Sequence, residues 1–319
     1  MNTHRLGRTD LYITPIGFGS WAIGGEKWSH GWGSQDDNKA VEAIERALEL
    51  GINWIDTAAV YGLGHSEKLV SKALEGVTQK PYLFTKCSLV WDSNRQITNS
   101  LKRDSIWREC EASLMRLKAD TIDLYQIHWP SPEEDIETGW RAMAELQEEG
   151  LVKHIGVSNF SVEQMQRAQT IAPVASLQPP YSMLRREIEK EILPFCLEHD
   201  IGVIVYSPML SGMLSGAMTL ERALNLPKND WRRNNKEFQE PRLQYNLELV
   251  ELLRTIGKKH DASPGEVAVA WSLRHPGVTA AIVGGRSAEQ VNGTIGAAEL
   301  SLTQDEADAI ENFIAAMPE

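Results

Sequence analysis

Long apolar runs are missing from this chain. No stretch approaches the ~18 consecutive apolar residues of a membrane span, and the opening MNTHRLGRTDLYITP has no apolar segment after its basic residues. A cytoplasmic protein without membrane contact is the expectation. Cysteine is scarce: Cys87, Cys110 and Cys196 are three, widely spaced, and in no CxxC arrangement, so neither a disulfide framework nor a zinc site is indicated. No ligand cluster for a catalytic metal and no nucleophilic triad is apparent. Cationic excess is also lacking. The formal net charge of −12 repels nucleic acid and anionic membranes, so an anionic ligand needs a local cationic or amide-rich site. Finally, no low-complexity tract or linker divides the chain, so residues 1–319 are expected to form one domain.

What is present is repetition. From Gly51 onward, short β-branched or aromatic runs alternate with longer segments of helical periodicity, the pattern of βα units on a parallel sheet. Candidate strands are residues 16–20, 52–57, 81–87, 121–129, 154–159, 174–178, 202–207 and 280–285. Eight such strands close into a (β/α)8 TIM barrel. HRLGRT and LYITP are short enough for an N-terminal β-hairpin plugging its lower end, and extra helices are expected near the C-terminus. A doubly wound open sheet is the alternative. It needs a GxGxxG between the first strand and its helix, and GFGSWAIGG has the wrong spacing.

Asp36 and Asp37 ahead of Val41, Ile44 and Leu48 mark one helix, stopped at Gly51. Ser161 with Gln164 forms a capping box for a helix ending near Ile171. Residues 207–241 read as a long loop, carrying MLSGMLSG and then PKNDWRRNNKEFQEPR. Loops of that length in compact domains are usually functional or mobile.

In a barrel the chemistry sits at the C-terminal strand ends. The second strand ends in Asp56, the third in Lys86 and the fourth in His128, and Tyr61 follows the second. Singly, each has an ordinary explanation: a turn cap, a snorkelling lysine, a rim histidine. Together they would stand side by side on one rim. A carboxylate keeps a buried lysine charged, and that cation favours the phenolate of a nearby tyrosine, lowering its pKa. His128 would orient a substrate oxygen. The set reads as proton transfer to a carbonyl oxygen, and since no side chain supplies hydride, a cofactor is implied.

These motifs resemble the aldo-keto reductase superfamily. GINWIDTAAVYGLGHSE is similar to its signature around the catalytic aspartate and tyrosine, followed in order by LFTK, DLYQIHWP, IGVSNFS and GGR. The match runs from about residue 5 to residue 300, and QPPYS with WAIGG is similar to the bacterial general-stress branch. The resemblance implies NADPH-dependent reduction of aldehydes or ketones, with NADH as a lesser possibility. It implies a tetrad of Asp56, Tyr61, Lys86 and His128, with Tyr61 as general acid. It assigns Ser158, Asn159 and Gln178 to the nicotinamide carboxamide and Tyr206 to stacking on its ring. Ser207, Pro208, Leu210, Ser211 and Gly212 correspond to the loop whose amides wrap the pyrophosphate. The resemblance also implies cofactor binding by Gly284 at the end of the last strand and by Arg286, Gln290 and Thr294 beyond it, where Arg286 and Gln290 match the grip on the adenosine 2′-phosphate.

The chain also departs from the pattern. Ala217 stands where relatives often carry lysine, Gly293 and Thr294 where a Glu-Asn pair is usual, and Ser71 where glycine is usual. The first two weaken the implied phosphate and adenine contacts. Trp21, Trp91 and Trp129 lie just past strand ends and are expected to line an apolar pocket for a small carbonyl substrate. Two other functions compete. One is a nicotinamide-binding sensor or partner subunit on the same fold. The other is a barrel hydrolase, disfavoured because no second acid stands at a neighbouring strand end. Oligomeric state leaves no mark in the sequence.

Overall fold

Parallel strands cannot be joined by tight turns, so each pairing requires a crossover, and the alternating helices supply it. The computed structural model describes residues 1–26, 28–227 and 230–317. It opens with a hairpin of β1 (His4–Arg5) and β2 (Tyr12–Ile13). The first two βα units are β3 (Ile16–Gly19) with α1 (Asp37–Glu49) and β4 (Trp54–Asp56) with α2 (His65–Ala73). Next comes β5 (Tyr82–Cys87), then a small antiparallel hairpin, β6 (Leu89–Trp91) and β7 (Ile97–Asn99), before α3 (Arg103–Leu117). The units β8 (Ile122–Ile127) with α4 (Ile136–Glu148), β9 (Val152–Ser158) with α5 (Val162–Gln169), and β10 (Ser176–Gln178) with α6 (Ile192–Glu198) follow. The last strands are β11 (Gly202–Tyr206) and β12 (Ala280–Gly284). Among the described residues, β3, β4, β5, β8, β9, β10, β11 and β12 close into one parallel barrel in that order. All eight expected strands are present, each within a few residues of its expected bounds.

Alternation along the strands decides what fills the barrel. Trp54, Phe84, Leu124, Ile204 and Ile282 form an inner apolar cluster, joined by Leu6, Leu11 and Ile13 of the N-terminal hairpin. The hairpin therefore plugs the lower end as expected. A Cβ on Gly17 would lie 2.1 Å from the Trp54 ring, so the glycine of β3 leaves the space the indole occupies. Moving two residues up each strand keeps the same inward parity. Trp54 leads to Asp56, Phe84 to Lys86, Leu124 to Gln126, Ile204 to Tyr206 and Ile282 to Gly284.

The helices follow their local signals. Asp36 caps α1 through the Asn38 and Lys39 amides, and its buried face is Ala40, Ala43, Ile44 and Ala47, with Val41 and Leu48 at the edges. The Ser161–Gln164 capping box opens α5, which ends at Gln169, two residues before the expected Ile171.

The expected long loop carries four short helical pieces. Leu210–Ser215, Trp231–Asn234 and Lys236–Phe238 are 3-10 turns and α7 spans Leu220–Leu224. Met213, Leu214, Met218, Ala223, Leu226 and Phe238 bury into the main core, which gives the segment its structure. Lys228 and Asn229, part of that expected loop, lie outside the described residues. Beyond it come α8 (Arg242–Lys259), α9 (Pro264–Leu273), α10 (Ala288–Asn292) and α11 (Gln304–Ala315), and α11 packs on α8 as an addition to the barrel units. No described helix is long and apolar enough to cross a membrane.

Candidate active site

β4 and β5 lie side by side, so Asp56 and Lys86 meet at the rim. Lys86 Nζ donates to Asp56 Oδ2 at 2.7 Å and to the Thr57 carbonyl at 2.9 Å. It also reaches the Tyr61 hydroxyl at 3.4 Å. Tyr61 is set by the tight 57–64 loop. Gly62 has φ +61° and a Cβ there would lie 2.2 Å from the Gly24 carbonyl, so the loop is clamped against residues 21–25 by the absence of a side chain. His128, one residue past β8, meets the Tyr61 ring edge-on with centroids 5.7 Å apart.

Burial governs the protonation of this cluster. It pushes the Tyr61 phenol well above its ordinary value, and the charges of Asp56 and Tyr206 add to the rise. The expectation that Lys86 lowers the Tyr61 pKa is therefore not met: Lys86 gives its short hydrogen bonds to Asp56 and Thr57, and loss of water outweighs its long approach to the phenol. Burial also draws Lys86 down, with Asp56 opposing through charge and hydrogen bond. His128 is held well below its ordinary value by burial, then by the charges of Lys86 and His30. The arrangement thus holds a protonated phenol beside a neutral imidazole.

A second network joins this one. Gln178 Nε2 donates to Asp56 Oδ1 at 2.8 Å, and Ser158 Oγ donates to the Gln178 carbonyl at 2.8 Å. Asn159, in the left-handed region at φ +64°, donates to Ser158 Oγ and to the His128 carbonyl, both at 3.0 Å, and accepts the Tyr206 hydroxyl at 2.9 Å. The residues expected on the nicotinamide and those expected on the substrate are thus one hydrogen-bonded set.

All this opens on a cavity of about 1420 Å³. Asp56, Tyr61 and His128 line it, with Trp21, Trp129, Ser158, Asn159, Gln178, Tyr206, Ser207, Pro208, Ser211, Gly212, Gly284, Arg286, Gln290 and Thr294. Lys86 stands behind Asp56 and Tyr61. Three expectations need correction. Trp91 does not line the cavity: it ends β6, and it is Leu89 and Ile97 of that hairpin that face the space. Leu210 is also off the wall, packed against the main core, with its amide bonded to the Ser207 carbonyl at 2.9 Å. The Gly212 amide is likewise engaged, by the Met209 carbonyl at 3.1 Å.

Arg286 is placed otherwise than expected. Its Nε donates to Gln35 Oε1 at 2.7 Å, one Nη to the Trp32 carbonyl at 3.0 Å, and the other to the Ser34 carbonyl. Its donors fasten residues 32–35.

Several wall residues escaped sequence reasoning. Trp28, His30 and Trp32 line the cavity, and Trp231, which is not on the wall, stacks on the wall residue Trp21 at 5.9 Å. The crowding of tryptophan in WAIGGEKWSHGW was the available signal. Gln126, two residues before His128, is buried behind the wall, where its Oε1 accepts from Gln178 Nε2 at 3.4 Å. Nothing local pointed to Arg222 or Arg232. No group of His, Cys, Asp and Glu suited to a metal occurs among the described residues.

Comparison with known proteins shows the family. Residues 15–315 match the Aldo/keto reductase family. The aldo-keto reductase YhdN of Bacillus subtilis (strain 168) is 39% identical over 286 residues, covering 89% of this chain and 84% of that protein. The NADH-specific methylglyoxal reductase of Escherichia coli (strain K12) is 30% identical, with 98% of each chain covered. The solved glycerol dehydrogenase AKR11B4 from Gluconobacter oxydans superposes with a TM-score of 0.89 at 37% identity, covering 98% of this chain and 95% of that one. This chain belongs to the aldo/keto reductase family, a class of oxidoreductases that use nicotinamide cofactors on a (β/α)8 barrel.

Proposed function

We propose that this protein reduces aldehydes and ketones to alcohols with NADPH, NADH serving less well, and that Tyr61 is the general acid. The observation carrying the reading is the buried Asp56–Lys86–Tyr61 cluster with neutral His128, set in one cavity with Ser158, Asn159, Gln178 and Tyr206.

That cavity fits a dinucleotide beside a small carbonyl compound, and the polar side chains at its floor suit an amide group. A bound nicotinamide supplies the hydride. Asn159, Ser158 and Gln178 would hold its carboxamide, and Tyr206 would lie along its ring. Tyr61 keeps its proton because burial and Asp56 oppose the phenolate, so it can deliver that proton as a carbonyl oxygen becomes negative. The neutral His128 can share that oxygen and orient it. Asp56 keeps Lys86 charged through their 2.7 Å ion pair. Trp21, Trp28 and Trp129 give the substrate an apolar surround. The partner is a small carbonyl compound, and residues 1–319 act as one domain.

NADPH consumption with a reactive aromatic aldehyde tests the reading. Tyr61→Phe should lower turnover about 10²–10⁴-fold, the usual range for a positioned acid, while leaving cofactor binding intact. A full-rate Tyr61→Phe enzyme would sink the mechanism. Cofactor binding without turnover on a broad carbonyl panel would indicate the sensor instead.

A further inference from the structure

Arg222, Arg232 and Arg286 all border the cavity, and they are spent very differently. Arg286 gives its guanidinium to Gln35 and to the Trp32 and Ser34 carbonyls. Arg232 is bound at both ends by Asp230, through Nε at 3.0 Å and Nη2 at 2.6 Å, and lies over the Trp32 ring at 4.8 Å. Its remaining nitrogen points to the Ser211 carbonyl at 3.4 Å. Arg222 is exposed on α7, and among the described residues its side chain makes one hydrogen bond, from Nη1 to the Ala217 carbonyl at 3.0 Å. It is near enough to Arg286 for their charges to oppose one another, and Asp230, the carboxylate that offsets Arg286, is already paired to Arg232.

Three guanidinium groups against Asp230, already paired to Arg232, and Glu289 on the same wall still leave a local positive excess on an acidic protein, suited to a phosphate. A phosphate also needs N–H donors that are not already committed, since a fork spent on carbonyls must first break those bonds. Arg222 alone of the three meets that condition. On the reading that the cavity takes a nicotinamide dinucleotide, we infer that Arg222 holds the adenosine 2′-phosphate and so sets the preference for NADPH, while Arg286 is a positioning residue that fastens residues 32–35.

Quenching of the tryptophans around the cavity measures binding without turnover. NADPH and NADH are titrated against the wild type, Arg222→Gln, Arg222→Lys and Arg286→Gln, with thermal unfolding as the check that each variant is folded. Arg222→Gln is expected to weaken NADPH about tenfold or more and NADH less than twofold, with Arg222→Lys between it and the wild type. Arg286→Gln is expected to weaken both cofactors alike, because it acts through residues 32–35. The inference is overturned if Arg222→Gln changes both cofactors equally or neither, or if Arg286→Gln loses NADPH selectively. In those cases the wild type still binds a nicotinamide and the proposed activity stands. A wild type that binds neither cofactor would overturn both.

Discussion

At the scale of single residues, Asp56 is the member of the site on which two networks converge. One carboxylate oxygen takes Lys86 and the other takes Gln178. A buried lysine deprived of its carboxylate is costly, about 3–5 kcal/mol when one partner of such a pair is removed, so Asp56→Ala should be far less stable than the milder Asp56→Asn. The amide variant should still bind cofactor. Its reduction profile should change sign-wise in a definite way: Asp56 is one of the charges raising Tyr61, so its loss lets the phenol ionise sooner and moves the alkaline limb of kcat/KM to lower pH. An unchanged profile would make Asp56 a structural cap. Trp54, two residues earlier, was legible as core from its run of apolar neighbours, and the same alternation placed Asp56 inward above it.

At the scale of elements, the β6–β7 hairpin that replaces the expected Trp91 contact is tied to α3 by one carboxyl group. Glu109 accepts the Ser88 amide at 2.9 Å and the Ser105 hydroxyl at 3.0 Å, and Ser88 itself is at φ +81°. Burial pushes the Glu109 carboxyl up to about 7. A raised carboxyl favours folding while both states are protonated, below its unfolded value of 4.5, and that contribution is lost as pH rises through about 7. The loss is roughly 3 kcal/mol at most, as an order of magnitude. Urea midpoints measured from pH 5 to 8 should therefore decline less in Glu109→Gln than in the wild type. Parallel curves would show that Glu109 ionises normally. The hairpin was missed in the sequence because its strands are only three residues each, too short for alternation to register, whereas the eight barrel strands were marked by apolar runs and intervening helices.

At the scale of the whole molecule, the barrel is closed by side chains from one inward row. The indole of Trp54 fills space left by Gly17 and donates to the Thr14 carbonyl at 2.9 Å, linking the interior to the N-terminal hairpin. Trp54→Ala removes this filling and should cost about 3–5 kcal/mol, the usual range for a buried tryptophan. The check is a lowered urea midpoint at unchanged slope. A loss below about 1 kcal/mol would mean the interior collapses onto the gap.

Across these scales, the sequence by itself determined the barrel and the meeting of Asp56 with Lys86 at its rim. Both rest on local periodicity: strand parity puts Asp56 above Trp54 and Lys86 above Phe84, and parallel closure then makes neighbours of adjacent strand ends. The tertiary structure decided how the polar groups are spent. Arg286 looked like a phosphate grip, yet its donors go to residues about 250 positions earlier, and Trp231 stacks on Trp21 from 210 positions away. Each donor goes to whichever acceptor the fold brings within about 3 Å, and a residue's neighbours along the chain carry no record of that meeting.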